Sequence, residues 1–151
     1  MSRVAQVDDA AEVARLIDRF NAEYDEYTPG AEVLEPRVVA HIERDLSVFL
    51  LAGPPDTGVA QLRFREYLLT GKPMVYLEEL YVVPDRRGEG HGRALMETAF
   101  GIARKRGATT MKLGTATSDR AARGLYESLG FTNFEKPGDP ETSMLYYERE
   151  L

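Results

Sequence analysis

The sequence contains no cysteine and only two histidines, His41 and His91. Disulfides, cysteine nucleophiles and thiolate-ligated metal sites are thereby excluded, and a histidine-based metal cage is not expected. No metal cofactor is anticipated. Nor does any stretch approach the roughly 20 apolar residues of a membrane span, and the first residues, MSRVAQVDDAAEVARL, lack the apolar segment of a signal peptide. A cytoplasmic protein with no membrane partner is the expectation. Proline and glycine are modest, at 8 and 13, beside 43% hydrophobic and 29% charged residues. That balance is of a globular chain rather than a disordered or collagen-like one. At 151 residues it suits one domain, spanning 1–151, with a core that needs no covalent staple.

Basic residues are outnumbered 19 to 25, a net charge of -6. Nucleic acid is therefore not the expected partner, because its phosphates would be repelled on average. The distribution says more than the sum. Residues 1–50 carry 5 basic and 11 acidic side chains, net -6, whereas residues 84–106 carry 6 basic and 3 acidic, net +3. Such an island could hold a small phosphorylated ligand while the acidic remainder attracts a cationic one; ordinary solvated charge is the plainer alternative.

Val4 to Val7 reads as a strand, with Asp8 and Asp9 as candidate N-caps for a helix whose stripe is Val13, Leu16, Ile17 and Phe20. Pro36 suits the first turn of a second helix carrying Val38, Val39, Ile42 and Leu46. Ser47–Ala52 and Val59–Tyr67 flank turn residues and predict a hairpin. Met74–Val83, MVYLEELYVV, predicts a central strand interrupted by Glu78 and Glu79. After Pro84 and a glycine-rich loop, Leu95, Met96, Ala99, Ile102 and Ala103 mark a helix. Thr109–Thr117 predicts a strand, Ala122, Leu125, Tyr126 and Leu129 a helix ending at Gly130, and Phe131–Glu135 and Met144–Glu150 two closing strands. The order predicts a three-layer α/β or α+β domain, antiparallel at first, with one parallel crossover.

The loop reads Arg86-Arg87-Gly88-Glu89-Gly90-His91-Gly92-Arg93, between a strand and a helix. Alternate glycines let several N–H groups converge, and the helix N-terminus adds positive partial charge, so a phosphate or pyrophosphate suits it. A flexible turn with solvated arginines is the alternative. Neither G-x-x-x-x-G-K-[ST] nor G-x-G-x-x-G is present.

What fits is R-x-x-G-x-G, with Arg87, Gly90 and Gly92 preceded by LYVVP and followed by RALME. In these residues, and in Ser118–Phe131, SDRAARGLYESLGF, the chain resembles the GNAT superfamily of acetyl-CoA-dependent N-acetyltransferases. The matching pieces span residues 76–131. The resemblance implies a mixed, mostly antiparallel sheet of about six to seven strands flanked by about four helices. It implies that Arg87, Gly88, Glu89, Gly90, His91, Gly92 and Arg93 grip the pyrophosphate of acetyl-CoA. It further implies that the backbone of Leu80, Tyr81 and Val82 receives the pantetheine arm and polarises the thioester oxygen. His91 stands where an aliphatic residue is usual and is expected to contribute backbone only. Asp119 replaces a common Asn and can accept, but not donate, a hydrogen bond to the pantetheine.

An alkylamine, with a pKa near ~10.4, must lose a proton before attacking a thioester. Glu78 matches the family position that handles the amine and Glu79 is the reserve; on adjacent strand positions they should face opposite ways. A carboxylate paired with an arginine is the competing reading for Glu78. Tyr126 matches the family's general acid and also lies near the bound coenzyme, although periodicity alone makes it a core residue. The expected acceptor is a small cationic amine such as a polyamine, diamine or aminoglycoside. A peptide N-terminus, a protein lysine, or a non-catalytic coenzyme A-binding module are the alternatives, and a homodimer is plausible because many relatives pair.

Overall fold

The computed structural model describes residues 1–115, 119–132 and 149–150. The chain divides into two compact units, Met1–Gly114 and Thr115–Leu151. The first unit holds a five-stranded sheet in the order β1-β2-β3-β4-β5, formed by β1 (Ser2–Val4), β2 (Val48–Ala52), β3 (Gly58–Glu66), β4 (Pro73–Val82) and β5 (Met111–Leu113). The first four are antiparallel and β4 pairs β5 in parallel, so the crossover through α3 (His91–Lys105) is the one the strand, loop, helix pattern predicts. Helices α1 (Ala10–Glu23) and α2 (Ala31–Glu43) complete this unit, and α4 (Arg120–Ser128) belongs to the second. The described residues thus show the expected α/β architecture, with four helices and a mixed sheet among them.

Helix α1 buries Val13, Ala14, Leu16 and Ile17, together with Val38 of α2, against Phe49, Leu51, Val59, Tyr81 and Val83 on one sheet face. The opposite face meets α3: a Cβ placed on Gly58 would lie 3.2 Å from the Leu95 side chain and 3.3 Å from that of Ala52. Alternation along each strand thus sorts residues between two layers, as the period of two requires.

Several boundaries differ from the expectations. β1 ends at Val4, and Val7–Asp9 forms a 3-10 turn. Asp9 does not cap α1 through its side chain; its carboxylate accepts from the Gln6 backbone (2.8 Å) and from Arg3 (2.8 and 3.0 Å). These bonds, Arg3 foremost, hold it below the usual carboxylate pKa. Helix α2 begins at Ala31, with Pro36 inside it rather than in its first turn. Gly30, at φ +97°, turns the chain into the helix, and Pro36 forgoes only the bond to the Glu32 carbonyl. Of the closing strands, Phe131, Thr132 and Glu150 carry no strand and positions 133–148 lie outside the described residues. The five strands counted among the described residues are fewer than the six to seven expected.

The decisive irregularity is in β4. Gln61 pairs with Glu79 but Leu62 pairs with Leu77, so Glu78 is an extra residue without a partner, a β-bulge. The inserted residue reverses the phase of the strand. Glu79 and Tyr81 face the α1/α2 layer, whereas Leu77, opposite Leu62, faces the α3 layer. The ladder of β5 with β4 runs over Val75–Leu77 and stops at the residue before the bulge. Of the expected strand 109–117, Met111–Leu113 is strand, and positions 116 and 117 lie outside the described residues. Among the described residues no helix is long and apolar enough to cross a membrane.

Candidate active site

A cavity of about 290 Å³ opens between α1, the α1–α2 connection, α2 and the sheet. Leu34, Arg37, Val38 and His41 line it from α2 at i, i+3, i+4 and i+7, one continuous helical stripe. Ile17 and Asn21 contribute from α1, and Phe49, Gln61 and Glu79 from the strands. The bulge brings Glu79 to this wall. Burial, and behind it the charge of Glu78, push the Glu79 carboxyl up from 4.5 to about 7. Glu79 has no hydrogen bond or ion pair among the described residues, whereas Glu78 is exposed at the bulge. Such a carboxyl is a proton acceptor poised near neutral pH.

Around it the polar groups are engaged with one another. Gln61 donates to the Ser47 hydroxyl at 3.0 Å, and Ser47 stands 2.8 Å from Nδ1 of His41. As a neutral ring, His41 either accepts the Ser47 proton at Nδ1 or donates to the serine oxygen, which has a second lone pair beside the one taken by Gln61. Burial, then the charges of Arg63 and Arg44, lower the His41 pKa and favour that neutral form. Asn21 donates to the Ile17 carbonyl at 2.9 Å.

At the far end of β4 lies the glycine-rich loop. Gly88 and Gly90 adopt φ of +82° and +88°, and a Cβ at either would meet nothing within 4 Å. The conformation thus demands glycine and leaves open space beside the backbone. Gly90 caps α3 in a left-handed conformation, and His91, Gly92 and Arg93 form the first turn, where N–H groups lack intrahelical acceptors. Arg86 pairs with Glu89, whose carboxylate also lies 3.7 Å from Nε2 of His91. The His91 ring is therefore occupied locally.

Arg87 is held by three contacts. Its Nε donates to the Val82 carbonyl at 2.9 Å, its Nη2 to Glu23 at 2.6 Å, and its guanidinium lies 5.6 Å from the Tyr81 ring centre. Tyr81 also donates to Glu23 (3.2 Å), and Phe20 stacks on the Tyr81 ring. Leu80, Tyr81 and Val82 form the end of β4, beyond its last pairing with β5 at Leu77. Their second edge has no strand partner among the described residues.

In the second unit Asp119 caps α4, its Oδ1 accepting from the Ala122 N–H at 3.0 Å. Tyr126, the buried residue of that helix, packs edge-on against Phe131. Burial, and secondarily the Asp119 charge, push its phenol up from 10.0 to about 12. It is a protonated donor throughout the neutral range. Every candidate catalytic and coenzyme-contacting residue named from the sequence is among the described residues, but the lining from α1 and α2 was not anticipated, since Arg37 and His41 interrupt an otherwise apolar stripe.

Comparison with known proteins agrees with this geometry. The acetyltransferase (GNAT) family matches residues 15–131. The uncharacterized N-acetyltransferase YhfO of Bacillus subtilis (strain 168) is 32% identical over 133 residues, covering 85% of this chain and 87% of its own. Thialysine N-epsilon-acetyltransferase of Bos taurus is 27% identical over 142 residues, covering 86% and 82%. A crystal structure of a provisionally assigned acetyltransferase from Arthrobacter sp. FB24 matches with a TM-score of 0.85 at 41% identity, covering 100% of this chain and 96% of that one. With the family match spanning both the glycine-rich loop and the Tyr126 helix, the chain belongs to the GNAT family and is an N-acetyltransferase.

Proposed function

We propose that the chain transfers the acetyl group of acetyl-CoA directly to a primary amine of a small molecule, with Glu79 as base and Tyr126 as acid. The observation that carries this reading is the unpartnered Glu79 carboxyl, at about 7, on the wall of a cavity of about 290 Å³. That volume lies at the lower end of ligand pockets, roughly 300 to 1,000 Å³, and suits a small acceptor. The relative acting on the ε-nitrogen of thialysine supports a small-molecule amine.

Acetyl-CoA supplies the acetyl carbon as a thioester. Glu79 takes the proton of the bound ammonium and frees its lone pair. As the C–N bond forms and the C–S bond breaks, Tyr126 gives its hydroxyl proton to the departing sulfur, the new amide nitrogen sheds its second proton to restore the phenol through solvent, and Glu79 releases the first to water. The open edge of Leu80, Tyr81 and Val82 offers backbone groups for the pantetheine arm and the thioester oxygen. Gly88, Glu89, Gly90, His91, Gly92 and Arg93 offer backbone N–H groups for the pyrophosphate, joined by the charges of Arg87 and Arg93. Asp119 retains one carboxylate oxygen for the pantetheine while the other caps α4. Glu78, exposed on the bulge, attracts the incoming ammonium and raises the Glu79 pKa.

The test is release of free coenzyme A thiol across polyamines, aminoglycosides, amino acids and peptides, in which a protein without cysteine contributes no background. Release with small amines is the expected result. Release with peptides alone would overturn the small-molecule acceptor, and silence with acetyl-CoA bound would overturn turnover of free amines. Arg87→Ala is expected to weaken acetyl-CoA binding by roughly 10- to 100-fold by calorimetry, the range of a lost charge-assisted hydrogen bond. Equal affinity would remove Arg87 from the coenzyme site.

A further inference from the structure

The cavity that holds Glu79 carries one formal cation on its lining, the Arg37 guanidinium of α2. Neither Arg37 nor Glu79 has a hydrogen bond or ion pair among the described residues. Of the other polar groups of the wall, Asn21 bonds the Ile17 carbonyl, Gln61 and His41 bond Ser47, and Thr28 bonds Asp18 at 2.6 Å, while the Tyr27 hydroxyl has no hydrogen bond among the described residues. The charged groups of the lining without an ion-pair partner among the described residues are therefore one carboxyl and one guanidinium. A diamine could answer the first, but its second ammonium would share a small cavity with a like charge. A molecule with an amine at one end and a carboxylate at the other answers both, because a guanidinium offers a planar fork of donors matched to a carboxylate.

Resting on the reading of Glu79 above, we propose that the acceptor is a small amine bearing a carboxylate, an amino acid or close analogue, and that Arg37 selects it by pairing with that carboxylate. The acidic first 50 residues draw cations in general, whereas Arg37 discriminates among them inside the cavity. A carboxylate held the same way before and during the reaction adds uniform binding, so its loss should raise KM more than it lowers kcat.

The experiment measures thiol release with matched acceptors differing by one carboxylate: lysine against cadaverine, and ornithine against putrescine. Wild-type protein is expected to prefer the amino acid of each pair by at least about tenfold in kcat/KM. Arg37→Glu should lower the amino-acid value by roughly 10- to 100-fold, mainly through KM, and raise the diamine value, reversing the preference. Arg37→Lys, which keeps the charge and loses the fork, should retain a weaker preference. Arg37 is exposed on a helix, and faster diamine turnover in Arg37→Glu would itself report a folded protein. A wild-type preference for diamines, or an unchanged ratio in Arg37→Glu, would overturn the proposal while leaving Glu79 as base. Phosphoethanolamine used better than the amino acids would overturn the carboxylate in favour of a phosphate. Failure with every amine while acetyl-CoA binds would instead sink the underlying reading of Glu79.

Discussion

Replacing Glu79 with Gln is expected to lower amine-dependent thiol release by roughly 10²- to 10⁴-fold, the usual contribution of a positioned base, with acetyl-CoA affinity retained. The pH profile should change with it. In the wild type kcat/KM rises as pH passes about 7, where Glu79 loses its proton, and the Gln variant should lack that rise. Glu78→Gln should leave the rise in place but move it to lower pH, because the neighbouring charge helps hold the Glu79 proton. Stability gives an independent check. The folded chain holds the Glu79 proton up to about 7, whereas an unfolded glutamate releases it near 4.5. Between those values the folded state binds more protons, so this group's contribution is full below about 4.5 and is lost as pH rises through about 7. Glu79→Gln should therefore gain Tm relative to wild type at pH 8 and gain little at pH 4. An undiminished rate in the Gln variant would sink Glu79 as the base.

Tyr126→Phe should likewise cost roughly 10²- to 10⁴-fold in rate with acetyl-CoA binding kept. The change removes one hydroxyl and leaves the ring, its edge-on contact with Phe131 and the Asp119 cap of α4 in place. Loss of rate therefore reports loss of the proton donor rather than loss of the helix. Because the phenol is pushed up to about 12, the wild-type rate should show no fall from Tyr126 ionisation below about pH 10. A Phe variant of normal rate would remove Tyr126 from the mechanism and return it to the core role that its periodicity suggests.

Much of the architecture was legible because two periodicities seldom conflict here. The α1 stripe, the hairpin and the strand, loop, helix unit each carry unmixed patterns, and Gly88 and Gly90 of the loop stand where positive φ requires them. The cavity was less legible for two physical reasons. A bulge inserts a residue without any compositional mark, so strict alternation over LEELY could assign faces but not detect that Glu78 falls out of register. Functional polar residues also break the apolar stripe by which a helix face is recognised. Arg37 and His41 made the α2 pattern follow Val39 and Ile42 instead, and Pro36 drew the predicted start away from Ala31. Coupling across three elements, as between Gln61, Ser47 and His41, has no linear signature at all.

The early end of the β4–β5 ladder has a consequence in the time domain. Val83 donates its N–H to Thr57 of the hairpin side, which fixes the alternation of the antiparallel pair. The Tyr81 amide turns inward to β3, while those of Leu80 and Val82 turn to the edge that has no strand partner among the described residues. Isotope exchange along this strand should then run in a two-residue rhythm, slow at Tyr81 and Val83 and fast at Leu80 and Val82. An arm seated along that edge as an added strand would erase the rhythm, turning a discontinuity in the sheet into a clock for its occupancy.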